Sequence, residues 1–267
     1  MSAGVPFDYE AATWGADAIR PGDRSIAAFR LDELLRMLPE RGRVLEVGCG
    51  AGRFLRAIVK LRPELELVGC DVSRSSLEVL GELAPEIERR VVSGSELPAA
   101  DEEFDAILVV DVLEHVEEPG SLLSAIRRAL KPEGLFHLHV PCEADALCLW
   151  RWLPGQAGEA GLKRKLGGHI QRFRRREILD LLTEVGFEPL RVRNSLHLLG
   201  NLADVAAFVR LERERRSSGT RRTTGDLVAG GGALIRAVDG LLWAEATLLS
   251  RLPSWSIHVW SRKVSPG

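Results

Sequence analysis

Apolar residues follow two alternating rhythms through the first half of the chain. Short apolar runs at Arg43–Val47, Leu65–Cys70, Asp105–Val110 and Leu135–Val140 have the length of buried strands, and a further strand is predicted over Arg90–Ser93. Between them apolar residues return at helical spacing. Ile26, Phe29, Leu34, Leu35 and Leu38 follow the N-cap candidate Ser25 and stop before Pro39; Phe54, Leu55, Ile58 and Leu61 stop near Pro63. Leu77, Leu80 and Leu83 follow Ser73 or Ser75, and Leu122, Ile126, Ala129 and Leu130 mark a helix over Ser121–Leu130, closed by the turn Lys131-Pro132-Glu133-Gly134. Strand and helix alternate strictly, which predicts a mainly parallel sheet covered on both faces.

Beyond Pro141 the alternation stops. Residues 142–172 are mixed, with a Gly-rich and basic middle; Arg175–Val185 is a predicted helix closed by Gly186, and Phe187–Asn194 and Ser256–Lys263 are predicted strands six and seven. Residues 195–253 read as two helices joined by Glu212–Asp226, a charged Ser/Thr/Gly linker expected to be mobile. Residues 1–24 read as an irregular lead-in with a short helical patch at Tyr9–Ala18. The expected division is an N-terminal helical cap (1–42), a core (43–194), a helical insertion (195–255) and a returning last strand (256–267).

With 45% hydrophobic and 28% charged residues and a net charge of -2, the composition is that of an ordinary globular chain, and it excludes disorder, collagen and a disulfide-stapled miniprotein. No apolar run is long enough to span a bilayer, and the N-terminal residues lack the basic and apolar regions of a secretory leader. Cys49, Cys70, Cys142 and Cys148 form no paired pattern, so reduced thiols and a cytoplasmic location are expected. The small net charge hides a division: residues 1–150 carry 16 basic and 27 acidic side chains, residues 151–267 carry 20 and 11. Such a chain suits a cationic ligand in its first part and an anionic contact in its second, although solvated helix faces would give the same balance.

The segment Val44-Leu45-Glu46-Val47-Gly48-Cys49-Gly50-Ala51-Gly52 carries the chemistry. Glycines at a strand exit allow close backbone approach to a ligand, and the helix that follows offers free N–H groups. A nicotinamide fingerprint needs glycine where Arg53 stands. Glu46, two residues before the first glycine, suits a cation better than a pyrophosphate. On these residues the chain resembles the class I S-adenosylmethionine-dependent methyltransferases, in particular the small-molecule type 11/type 23 branch. The resemblance continues through Asp71 at the end of strand two, Ser93-Gly94-Ser95-Glu96-Leu97-Pro98, the run Phe104–Val110, Asp111-Val112-Leu113-Glu114-His115-Val116, Leu130-Lys131-Pro132-Glu133-Gly134-Leu135, and His169-Ile170-Gln171-Arg172-Phe173 with Glu184-Val185-Gly186-Phe187.

This resemblance implies a Rossmann-like three-layer α/β sandwich, with a seven-stranded, mainly parallel sheet, an antiparallel last strand and a helical insertion between strands six and seven. It implies S-adenosylmethionine as cofactor, held by Glu46, Gly48, Cys49, Gly50 and Gly52, by Asp71 on the ribose hydroxyls with Val72 beside it, by the Ser93, Gly94 and Ser95 loop around adenine, and by Asp111 and Val112. Ser93 stands where the family often has Asp, which leaves adenine to a hydroxyl or to the Gly94–Ser95 backbone. The implied reaction is in-line transfer of a methyl group to a small acceptor, most simply a hydroxyl oxygen. A non-catalytic binding subunit is opposed by the retained Glu46, glycines and Asp71. A nucleic-acid enzyme is opposed by Asp111-Val112-Leu113-Glu114 after strand four, where base N-methylation uses Asn/Asp-Pro-Pro-aromatic.

Candidate bases are His115, just past strand four, His139, near the carboxyl end of strand five, and His169, which the resemblance places over the acceptor; His169 and His115 are favoured, with Glu114 and Glu143 as alternatives. His137 and His139 share a strand face, but no acid or cysteine is regularly placed beside them, so no metal is expected and a sheet-face role is the simpler one. Eight basic residues in 151–176 against Glu159 suggest a lid over an anionic substrate or an anionic membrane surface. On the helix around Leu234–Leu252, Glu245 falls in the middle of the apolar face, which fits a pocket residue, a bend or a different contact face. The insertion is expected to cap a hydrophobic or phosphorylated acceptor, to form a homodimer interface or to lie on lipid; the pattern leaves the three open.

Overall fold

A computed structural model describes residues 7–11, 13–20, 22–92, 96–218 and 232–264. Seven strands form one sheet: β1 (Gly42–Val47), β2 (Leu65–Asp71), β3 (Glu88–Val91), β4 (Phe104–Val110), β5 (Leu130–Pro141), β6 (Phe187–Ser195) and β7 (Ser256–Lys263), in the order β3-β2-β1-β4-β5-β7-β6. All neighbours pair in parallel except β7, which runs antiparallel to both β5 and β6. The helices are α1 (Ile26–Leu35), α2 (Arg53–Leu61), α3 (Arg74–Leu83), α4 (Pro119–Ala129), α5 (Arg175–Val185), α6 (Leu198–Ser218) and α7 (Ala233–Leu249).

Strand periodicity sorts the core into two layers. Val44, Ala106 and Leu108 face Leu34 of α1, Leu55 and Ile58 of α2, and Leu77 and Leu80 of α3. Leu45, Val47, Ile107, Val109 and Leu138 face Leu123 and Ile126 of α4 and Ile178 and Leu182 of α5. A third cluster, Cys148, Trp150, Phe208 and Trp255, lies under the insertion. All four cysteines are buried and unpaired. No helix among the described residues is long and apolar enough to cross a membrane.

Four local expectations change. The edge strand β3 starts two residues earlier than the apolar pattern suggested, because its pairing with Val68–Asp71 begins at Glu88. The Lys131–Gly134 turn is absorbed into β5 as an irregularity: Phe104 pairs with Leu130 and Ala106 with Leu135, and Glu133 takes a left-handed φ of 61°. The helical patch in the lead-in shrinks to a 3-10 turn at Tyr9–Ala11. The first part of the expected mobile linker is helical, since α6 runs to Ser218, supported by i,i+4 pairs between Arg210 and Glu214 at 2.8 Å and Arg216 and Glu212 at 2.7 Å; residues 219–226 of that linker lie outside the described residues.

Glu245 explains itself in this packing. Its carboxylate accepts hydrogen bonds from Leu199 N at 2.7 Å and Gly200 N at 3.0 Å, two of the free donors at the start of α6. A carboxylate on an apolar helix face is therefore the N-terminal cap of the neighbouring helix. Glu245→Ala is expected to lower unfolding free energy by about 1–2 kcal/mol, measured by chemical denaturation; an unchanged midpoint would show that the cap adds nothing.

Candidate functional site

The strand order reverses between β1 and β4, and open α/β sheets bind ligands outside the carboxyl ends of the strands at that point. A cavity of about 850 Å³ opens there, lined by the β1 exit from Glu46 to Gly50, Asp71 and Val72 after β2, Asp111 and Val112 after β4, and Tyr9, Trp14 and Arg30 from the N-terminal part of the chain.

The glycine loop fits this place by steric necessity. Gly48 and Gly50 have φ of 70° and 54°; a Cβ on Gly48 would stand 2.3 Å from Val112 Cγ2, and one on Gly50 would stand 2.5 Å from the Trp14 carbonyl oxygen. Gly52, at the N-cap of α2, lies behind the cavity wall, against Leu80. Asp71 accepts from Gly50 N through Oδ2 at 2.7 Å and from Ser73 N through Oδ1 at 2.9 Å, so both oxygens are oriented and each keeps a lone pair for a further donor. Burial pushes the Asp71 pKa up.

Glu46 is buried, and burial pushes its pKa up to about 8. Its Oε2 has no hydrogen-bond partner among the described residues. An orphaned buried carboxylate oxygen, a cradle that admits no Cβ and an oriented Asp71 together fit a cationic nucleoside with ribose hydroxyls. Burial, then the charges of Glu46 and Asp71, push the Cys49 thiol well up, so it stays neutral. Ser93, Gly94 and Ser95 lie outside the described residues.

Asp111 adopts φ 54° at the β4 exit and meets Arg30 Nη1 of α1 at 2.6 Å and His139 Nδ1 at 2.9 Å. Burial opposes its ionisation, but the Arg30 guanidinium and His139 outweigh it and hold the carboxyl well below the usual range. His139 is therefore behind Asp111 and not among the cavity-lining residues; its Nε2 lies 2.8 Å from Ser256 Oγ, and its ring stacks 4.3 Å from that of His258.

Glu114 and His115 follow in a 3-10 turn, Leu113–His115. Ile170 N and Gln171 N both donate to the Glu114 carbonyl at 2.9 Å, which brings His169 to within 4.9 Å of His115, ring centroid to ring centroid. Burial, then His169, lowers the His115 pKa to about 4. Burial, then Asp111, raises that of Glu114 well above the carboxylate range, and neither of its carboxyl oxygens has a partner among the described residues. His169 Nδ1 lies 2.8 Å from Glu143 Oε1. Glu143 is kept ionised against its burial by His169 and by Lys163, whose Nζ is 3.7 Å away. Glu114, His115 and His169 each place one ligand-type atom within 4.8 Å of the others, and a divalent ion could be held there.

The sequence pattern did not point to Tyr9, Trp14 or Arg30. Trp14 O accepts from Ala51 N at 2.7 Å, and Glu10 accepts from Arg74 N at 2.8 Å and Ser75 N at 3.2 Å, capping α3. These contacts join segments far apart in the chain; the only local signal was an isolated Tyr and Trp in a polar lead-in.

Residues 22–192 match the family model described as Methyltransferase domain (Methyltransf_23). A ubiquinone biosynthesis O-methyltransferase from Alkalilimnicola ehrlichii is 34% identical over 142 residues, covering 48% of this chain and 57% of the relative, so this chain spans little more than half the length of that relative. A SAM-dependent methyltransferase from Thermotoga maritima is 25% identical, with 65% of this chain and 76% of that one covered and a TM-score of 0.51. The [4+2]-cyclase SpnF shares the fold over 90% of this chain and 82% of its own, at 21% identity and a TM-score of 0.59. The chain belongs to the methyltransferase-domain family, and S-adenosylmethionine is the expected cofactor.

The charge state of Glu46 gives a pH signature. Below about 8 the isolated carboxyl is protonated, and a bound cation favours its ionised form. S-adenosylmethionine affinity is expected to strengthen with rising pH, by at most about tenfold per unit for one linked proton, and to level off above that value. Calorimetry between pH 6 and 9 on the chain and on Glu46→Gln, whose profile should be flatter, measures this; equal slopes would remove Glu46 from cofactor binding.

Proposed function

We propose that this chain transfers a methyl group to a hydroxyl oxygen of a small-molecule acceptor, with His169 as the general base. The observation that carries the reading is the His169–Glu143 contact of 2.8 Å: neither residue lines the cavity itself, but the His169 ring lies 4.9 Å from that of the cavity-lining His115. The O-methyltransferase name of the relative supports an oxygen acceptor. S-adenosylmethionine, when bound, supplies an electrophilic methyl on a sulfonium.

The protein's part is binding, orientation and proton transfer. Glu46 and the loop Gly48–Gly50 would hold the cationic end, and Asp71 the ribose hydroxyls. Asp111, fixed by Arg30 and His139, and Val112 would line the donor side. His115, its pKa lowered to about 4 by burial and by His169, is neutral, and Glu114 is a neutral acid able to donate a hydrogen bond. In this reading His169 Nε2 takes the acceptor's hydroxyl proton, and ionised Glu143 orients the ring through Nδ1 and stabilises the imidazolium that forms. Lys163 holds Glu143 in place while being neutralised chiefly by Asp204, at 2.8 Å.

A second reading concerns the source of the acceptor. Leu198, Leu199 and Leu202 of α6 and Leu241 and Leu248 of α7 are exposed, which favours an acceptor drawn from a lipid surface.

With an acceptor found by S-adenosylhomocysteine release from a panel of phenols and alcohols, His169→Ala is expected to lower kcat by roughly 10²–10⁴-fold with cofactor affinity unchanged. Glu143→Gln should lie between, and chelator should leave the rate intact. A rate that chelator abolishes and divalent ions restore would reassign Glu114, His115 and His169 to a metal.

A further inference from the structure

A second concavity of about 360 Å³ lies between α1, the edge strand β6 and the end of α7, and shares no lining residue with the cofactor cavity. Its walls carry four guanidinium groups, Arg36, Arg191, Arg193 and Arg251, against two carboxylates, Asp32 and Glu33. The arginines come from three elements. Arg191 and Arg193 are two apart on β6 and so project to the same face; Arg36 follows α1, and Arg251 follows α7.

The charges do not balance. Glu33 is shared by Arg36 Nε at 2.8 Å and Arg191 Nε at 3.3 Å. Among the described residues, neither Arg193 nor Arg251 has a carboxylate within ion-pair distance; Arg193 Nη1 donates only to the carbonyl of its neighbour Val192, at 2.9 Å. Burial, then the positive charge of Arg191, lowers the Arg193 pKa against the opposing pull of Glu33, and Arg251 and Arg36 add to the lowering. Concentrated like charge in a concave site costs free energy that a bound anion would recover. Guanidinium groups present paired donors that match phosphate oxygens, and Trp243 and Phe29 provide an apolar wall. The space is at the lower end of the range of small-ligand sites.

We propose that this cleft binds a soluble phosphate-bearing anion of about diphosphate size, at a site separate from the cofactor cavity. The geometry of α7 favours a soluble ligand over a lipid headgroup. At 100° per residue, Trp243 and Thr247 point to the cleft, which Ser250 and Arg251 line from just past the helix end, whereas the exposed Leu234, Leu241 and Leu248 project from the opposite side of the helix to Trp243. A bilayer resting on those leucines would leave the arginines turned away from it. The two sites share one wall: Phe29 lines the cleft, and Arg30, the next residue, grips Asp111 in the cofactor cavity.

The test is calorimetry of the full chain with inorganic pyrophosphate at low and at high salt. The expected result is saturable binding at one site that weakens with salt. The double variant Arg193→Ser/Arg251→Ser should bind at least about tenfold more weakly, with S-adenosylhomocysteine affinity unchanged as the measure of an intact fold. Trp243→Phe, which keeps every charge, should retain binding but lose the fluorescence change that pyrophosphate causes. Absence of saturable binding, or equal affinity in the double variant, overturns the proposal. So does a double variant that loses co-sedimentation with phosphatidylglycerol vesicles while its pyrophosphate affinity is unaltered, since the arginines would then serve a membrane.

Discussion

Four carboxyl groups crowd the carboxyl edge of the sheet, and much of the molecule is arranged by what each needs to remain there. A buried carboxylate must find a cation, collect hydrogen bonds or take up a proton. Asp111 has its cation, Arg30, whose contact binds α1 to the end of β4, with His139 beside it. Asp71 has its hydrogen bonds, from Gly50 N and Ser73 N. Glu114 takes the third course and is held neutral by burial and by Asp111. Glu46 takes the third course only below pH about 8, and one of its oxygens is left without a hydrogen-bond partner among the described residues. In the proposed reading a cationic cofactor would complete this set of charges, with the glycine loop and its acid acting together.

What was legible in the sequence is what depends on near neighbours. The glycine loop, Asp71 and the Asp111–His115 segment were readable because strand exits impose local demands on backbone and charge, and β7 was readable from its flanks. The edge strand β3 was misplaced by two residues because its extent is set by pairing with β2, not by its own apolar residues. Tyr9 and Trp14 could not be read as cavity residues, since the hydrogen bond from Ala51 N to Trp14 O is a tertiary fact. Glu245 looked out of place on its own helix because its partners, Leu199 N and Gly200 N, belong to another.

The uneven charge of the chain resolves in the same way. The basic run in 151–176 suggested an open anionic contact, yet Lys163 is buried against Asp204, Lys165 pairs with Glu212, and Arg172 donates to the carbonyls of Glu143 and Trp150. Much of that charge therefore fastens the segment carrying His169 to α6 and to the end of β5. Composition could not show this, because the neutralising acids lie some forty residues downstream. Arg193 and Arg251, which have no carboxylate within ion-pair distance among the described residues, meet at one cleft although they stand 58 positions apart in the chain.

In the proposed reading, donor and acceptor sides of the cavity meet in one short stretch. Asp111 and Val112 line the cofactor side, while His115, a few residues on, faces His169, and the Glu114 carbonyl between them accepts from Ile170 N and Gln171 N. The donor half is fixed to the sheet by buried charge and by glycines that tolerate no side chain. The acceptor half is fixed to it mainly through that carbonyl and through the Glu143–Lys163–Asp204 chain. A change in residues 142–172, or in the helices that brace them, can therefore reshape the acceptor pocket while the four carboxyl groups stay in place. Such a division would let one fold serve different acceptors: motif residues mark the proposed cofactor half, whereas the acceptor half is set by tertiary contacts and its ligand has to be found by experiment.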